Sequence, residues 1–368
     1  MISIAKPMFT DKEIRDVISV LKSGYLRQGT KTEEFEKGFC KRVGSKYAYA
    51  VNSGTAALHV SYLSLLEQGD EVIVPAFTFI ATASTVVYSN ARPVFSDISE
   101  ETFTIDPQDV NEKISPKTRA IAPVHLFGHA ADMTTLGEIA EDHNIYLVND
   151  AAQAHGTRID GKDVGAFDDL NCYSFYPSKI MTTGEGGIVT TNERRFYEKG
   201  RLIRSHGQES KYHHTIFGLN YRMTEIAAVI GLNQLEKLDM FLEKRKRNAE
   251  TLTKALGDIE GIRPPVIKNN IDHSFNVYSV LMDLSQFKCT RDEFVEALQA
   301  ENIGCRVHYP TPLTKQPVFR KNFKVDECPV AESVSERIFS LPVHPHLNKT
   351  TLEKIIEALE LVAGYYYK

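Results

Sequence analysis

Ser174-Phe175-Tyr176-Pro177-Ser178-Lys179-Ile180-Met181-Thr182-Thr183-Gly184-Glu185-Gly186-Gly187 joins two short apolar segments, Leu170 to Tyr176 and Gly187 to Thr191. Both segments read as strands, because they are short and rich in aromatic and β-branched residues. The turn between them holds a lysine among small, β-branched and aromatic neighbours. Most lysines are solvated surface residues, but this setting also admits burial. Burial would lower the pKa and make the amine a Schiff-base nucleophile and proton shuttle. Outward from this hairpin, strands alternate with helices. Tyr47–Val51, Glu71–Val74, Pro93–Ser96, Ala120–His125 and Ile145–Val148 read as strands. Ala56–Leu66, Phe79–Tyr88 and Asp132–His143 read as helices. The alternation predicts an α/β fold with a mostly parallel sheet flanked by helices.

The N-terminal edge starts with a helix. Thr10 and Glu13 form a capping box, Ile14, Val17, Ile18 and Leu21 recur at helical spacing, and Ser23-Gly24 ends it. Beyond Met223 a long helical stretch runs through Ile226, Leu232, Leu235, Leu238 and Leu242 into the charged run 243–247, read as a solvated helix face. A smaller α+β unit follows. It has strands near Val277–Met282 and Gly304–His308, a helix from Arg291 and a last helix from Thr350. The predicted division is a large domain, 1–240, and a small C-terminal domain, 241–368.

Composition narrows the function. With 43 basic and 48 acidic residues the net charge is −5, so no basic excess marks a nucleic-acid or anionic-membrane partner. The apolar runs are far shorter than the ~20 residues that cross a bilayer, and no signal peptide is visible. Five scattered cysteines form neither CxxC nor a zinc-spaced cluster. No metal site is expected, and a reducing cytoplasm is the simplest home.

Three motifs fall at carboxyl ends of predicted strands, where open α/β sheets bind ligands. Asn52-Ser53-Gly54-Thr55 opens a helix; it is either a phosphate cradle or an ordinary N-cap. It fits neither GxGxxG nor GxxxxGKS, so no dinucleotide or P-loop nucleotide is implied. Asp150, within Asn149-Asp150-Ala151-Ala152-Gln153-Ala154-His155-Gly156, could hold a protonated ring nitrogen or cap the next turn. Lys179 could take an aldehyde. A phosphate cradle, a carboxylate for a ring nitrogen and an amine for an aldehyde are together the handles of pyridoxal 5'-phosphate.

With these motifs in this order, the chain resembles the pyridoxal-phosphate sugar aminotransferases of the DegT/DnrJ/EryC/StrS family, within fold type I. The resemblance runs from Ile4-Ala5-Lys6-Pro7 through Ser53-Gly54-Thr55-Ala56-Ala57-Leu58, Asp150-Ala151-Ala152-Gln153 and the lysine motif. It continues in Gly218-Leu219-Asn220-Tyr221-Arg222-Met223-Thr224, His308-Tyr309-Pro310 and Leu341-Pro342-Val343-His344-Pro345. It implies that Lys179 holds the cofactor covalently and moves the proton. Asp150 would keep the pyridinium protonated, Gln153 would face the phenolic oxygen and Phe79 would stack on the ring. Ser53, Gly54, Thr55 and Ser174 would bind the phosphate. Asn220 would reach the phosphate from the partner subunit of a homodimer with shared active sites. Tyr25, Glu185, Arg222, His308 and Tyr309 are implied substrate contacts.

The implied cycle takes an amino group from L-glutamate through pyridoxamine 5'-phosphate to a nucleotide-sugar ketone. The GEGG tail and the Asn-Tyr-Arg-Met-Thr motif resemble the carbon-4, perosamine-type branch. A carbon-3 ketosugar or cyclitol aminotransferase, or a non-catalytic cofactor-binding regulator, are the alternatives. A dehydratase of the same family would carry His in place of Lys179. Asn149, Tyr25, Arg27 and Thr314 depart from the usual family residues, the last three in segments that face the sugar nucleotide in relatives.

Overall fold

Seven strands form the central sheet: β1 (Tyr47–Val51), β2 (Glu71–Pro75), β3 (Arg92–Ser96), β4 (Thr118–Ile121), β5 (Tyr146–Asp150), β6 (Leu170–Ser174) and β7 (Gly187–Thr191). Their order in the computed structural model, which describes residues 1–167 and 169–368, is β1-β7-β6-β5-β4-β2-β3. Neighbours from β6 to β3 pair in parallel. Only β7 runs against its neighbours, β1 and β6. Hence β1, β2, β5 and β6 all point their carboxyl ends the same way.

Side chains alternate across the sheet and divide between two cores. Tyr49, Val51, Val72, Val74, Ala120 and Cys172 join one core, with the helices Gly54–Leu65 and Ala81–Tyr88. Ala48, Ala50, Ile73, Ile121 and Tyr173 join the other, with the helices Thr30–Val43 and Met133–Asp142. Apolar residues on both faces produce the continuous runs of the strands. A second, antiparallel sheet of Ile262–Arg263, Tyr278–Met282 and Ile338–Leu341 has its own core.

The first helix spans Asp11–Ser23. The Glu13 carboxylate accepts from the Thr10 backbone N–H (2.7 Å) and hydroxyl (3.1 Å), and Gly24 caps the other end at φ 71°. Its apolar stripe does not face a core of this chain: Ile14, Ile18 and Leu21 are exposed, while Glu13 is buried against Gln234 and Lys237. The long helical stretch after Met223 is two helices, Glu225–Glu236 and Leu238–Leu256. The expected boundary after residue 240 falls inside the second of these. Leu238 and Phe241 belong to the core of the large sheet, Leu252 and Leu256 to that of the small one. Residues 313–338 return to the large sheet through Leu313, Phe319 and Val334, and Ile2 pairs with Ile303. The expected strand at Gly304–His308 is instead a bridge between Arg306 and Ser340, because the Gly304 amide turns to the Ile2 carbonyl (2.7 Å).

Candidate active site

A cavity of about 490 Å³ opens at the carboxyl ends of β1, β5 and β6. Ser53, Gly54, Thr55, Phe79, Asp150, Gln153, Ser174, Lys179, Glu185, His308 and Tyr309 all line it. The structure therefore brings together every cofactor residue expected from sequence except Asn220.

The cradle follows from register. Gly187 of β7 lies opposite both Val51 and Ser174, so the ends of β1 and β6 converge on it. A side chain is not accommodated there: a Cβ on Gly187 would fall 2.3 Å from the Ser53 carbonyl oxygen, and one on Gly54 2.5 Å from the Ser174 Cβ. Ser53 caps the helix Gly54–Leu65, its hydroxyl accepting from the Ala56 amide at 3.0 Å. The first amides of such a helix have no internal acceptor, and the helix dipole adds positive potential. The cradle thus fits a dianionic phosphate.

Lys179 sits on a turn braced by threonines. Thr182 Oγ1 donates to the Phe175 carbonyl (2.8 Å), Thr183 Oγ1 to the Glu185 carbonyl (2.7 Å), and the Lys179 amide to the Tyr176 carbonyl (2.9 Å). The amine opens on the cavity, but the surrounding protein desolvates it. Burial brings its pKa down to about 8, partly opposed by the negative charge of Asp150. Below that pH the amine is a cation with no free lone pair. Covalent capture of pyridoxal phosphate by the apo-protein should therefore accelerate as pH rises through about 8 and then level off. Stopped-flow absorbance reads this rate; a rise that continues to the ordinary lysine value of 10.5 would contradict the buried setting.

Asp150 ends β5 and is buried. Burial raises its pKa, against the opposing effects of the Thr82 hydroxyl (2.8 Å), the Ala152 amide (3.1 Å) and the Lys179 charge. A carboxyl held in this way gains most from a cation in the cavity, which is what a protonated ring nitrogen offers. Gln153 is fixed at both ends: its Oε1 accepts from the Phe127 amide (2.9 Å) and its Nε2 donates to the Tyr309 hydroxyl (3.0 Å). Phe79 precedes its helix, which begins at Ala81 rather than at Phe79, and it is exposed, 6.2 Å from the Tyr309 ring. Burial lowers the His308 pKa to about 4, so the ring is neutral at physiological pH, its Nδ1 3.2 Å from Ser340 Oγ.

Three expected contacts lie elsewhere. Asn220 is exposed and bridges Ser205. Arg222 bridges Val51, beside the cradle but not on the cavity wall. Tyr25 is exposed on a separate depression with Arg27, Gln28 and Glu225. Sequence reasoning missed Thr82, although a threonine on the buried side of an apolar helix beside a strand end was a usable signal. Nor did it place Asn276, which lines the cavity and carried no sequence signal.

An amine, a buried carboxylate and an anion cradle in one cavity fit pyridoxal phosphate, and they define a fold type I enzyme of that cofactor. The chain belongs to the DegT/DnrJ/EryC1/StrS aminotransferase family, whose profile matches residues 7–360. It is a pyridoxal-phosphate-dependent sugar aminotransferase. The GDP-perosamine synthase of Caulobacter vibrioides is 36% identical, over 98% of each chain. The dTDP-3-amino-3,4,6-trideoxy-alpha-D-glucose transaminase of Streptomyces venezuelae is also 36% identical, over 93% of this chain and 90% of its own. A proposed sugar aminotransferase of Streptococcus pneumoniae, solved in PLP and PMP forms, superposes in the PMP form with a TM-score of 0.93. It is 28% identical and covers 99% of this chain and 98% of its own. Among the described residues, no helix is long and apolar enough to cross a membrane and no His/Cys/Asp/Glu group could hold a metal ion.

Proposed function

We propose that this chain transfers the amino group of L-glutamate to the 4-keto carbon of a nucleotide-linked 4-keto-6-deoxyhexose, with a GDP-sugar preferred over a UDP- or dTDP-sugar. It would act in the cytoplasm as a homodimer with shared active sites. The observation that carries the reading is Glu185, on the cavity wall within the turn that holds Lys179. In the carbon-4 branch the matching position is also Glu, whereas the carbon-3 branch tends to carry Asp. The likeness to a GDP-perosamine synthase supports the same choice.

Pyridoxal phosphate, when bound, supplies an aldehyde that carries the amino group and a ring that withdraws electrons from the donor carbon. The protein does the rest. Ser53, Gly54, Thr55 and Ser174 bind the phosphate, and Asp150 keeps a negative charge against the ring nitrogen. Lys179 removes and returns the proton at the reacting carbon. Gln153 and Tyr309 fix one wall by their mutual hydrogen bond, and Phe79, also on the cavity wall, would stack on the ring.

The shared site has physical support. Among the described residues on the cavity wall, Lys179 is the only lysine or arginine, yet a phosphate and two donor carboxylates must be accommodated. Asn220, Arg222 and Tyr25 do not line their own cavity and would serve that of a second copy. The exposed stripe Ile14, Ile18 and Leu21, with the fully exposed Phe217, offers apolar surface for that contact. NMR of the product formed with glutamate tests the substrate assignment. The amine is expected on carbon 4 of the hexose. An amine on carbon 3 would move the chain to the branch of its Streptomyces relative.

A further inference from the structure

The charged run 243–247 is not wholly a solvated face. Arg245 is only 4% exposed and, among the described residues, forms no ion pair. Its Nη1 donates to the carbonyls of Phe275 (2.9 Å) and Asn276 (3.2 Å). A guanidinium buried against carbonyls alone is a costly arrangement, and burial lowers its pKa to about 10, leaving it charged at neutral pH. What it holds is an unusual backbone. Phe275 sits at φ 50°, a left-handed conformation that aromatic residues rarely adopt. The next residue, Asn276, is thereby set into the cavity wall beside Val277.

Asn276 is 6% exposed, and its side chain has no hydrogen bond to any described residue; Oδ1 is buried without a donor. A buried polar group left unpaired is costly, and a partner normally exists. Here the cavity is the place from which one can come. As placed, the protein offers the Asn276 side-chain carbonyl no donor and its amide nitrogen no acceptor.

We propose that Asn276 is a specificity-determining residue that hydrogen-bonds a ring hydroxyl of the hexose, and that Arg245 is the positioning residue that holds it there. The inference rests on the ketosugar reading above. A hydroxyl both donates and accepts, as the amide requires. The donor carboxylates of glutamate carry no proton to give, and its amine is engaged where Lys179 acts.

The two half-reactions separate this role from a structural one. With glutamate alone, Asn276→Ala should convert the cofactor at a rate within about two-fold of wild type. With the ketosugar, kcat/KM should fall by about ten-fold or more. Ketosugars lacking the hydroxyl at carbon 2 or carbon 3 complete a cycle. One of them should be about ten-fold poorer than the parent for wild type but equal to it for Asn276→Ala. Arg245→Met should also flatten that ratio, whatever its melting temperature. If Asn276→Ala keeps the wild-type ratio for both analogues, or loses both half-reactions equally, the assignment is overturned. If wild type completes the glutamate half-reaction but aminates no nucleotide-linked ketosugar, the substrate reading fails, and this inference with it.

Discussion

Lys179→Ala is expected to lose transamination almost completely, with turnover falling by about four orders of magnitude or more. The substitution removes the covalent anchor and the proton carrier together, and general acid–base action alone is worth about 10²–10⁴-fold. Single-turnover absorbance with glutamate measures the loss. In the wild-type holoenzyme, borohydride reduction followed by peptide mapping should place the cofactor on Lys179; a label on another lysine would refute the assignment. The same variant tests the shared site. Asn220→Asp homodimers should also be poor, since a carboxylate would face the phosphate across the interface. Re-formed mixed dimers gather both defects into one site and leave the other intact, so activity should return. Mixed dimers that form without recovery would place Asn220 outside the partner's site.

Asp150→Asn should retain the cofactor through the phosphate cradle while turnover drops by about two to four orders of magnitude. The amide is nearly the same size, so the helix and strand ends keep their places. What disappears is the negative charge that holds a proton on the ring nitrogen. Cofactor retention can be followed by equilibrium dialysis and turnover by 2-oxoglutarate release. A near-normal rate would remove Asp150 from that role.

Much of this was legible because it is local. The Thr10–Glu13 box, the strand before Asp150 and the lysine turn each declare themselves within about ten residues. Other features are set by distant partners. The helix Thr30–Val43 begins at Gly29, which has no capping side chain. Its cap comes from Glu225, whose carboxylate accepts from the amides of Gly29, Lys31 and Thr32 at 2.8–2.9 Å. Arg245 is hidden for the same reason. The residues beside it in the run are charged, and only the second core, packed on one side of its helix, turns it inward. The stripe of the first helix was legible as helical spacing, but its exposure was not, because spacing alone does not say whether another element of the chain covers it.

The cavity has walls of two origins. Lys179, Asp150 and the cradle stand at the ends of strands of the large sheet or on the turns between them, and backbone pairing ties those strands together. Asn276, Val277, Leu341 and Val343 belong to the second sheet and its flanks. A substitution in the second wall can therefore reshape what fits without disturbing the register between amine and carboxylate. A lineage built on this scaffold can diversify its sugars by drift on one side while the reaction itself stays fixed on the other.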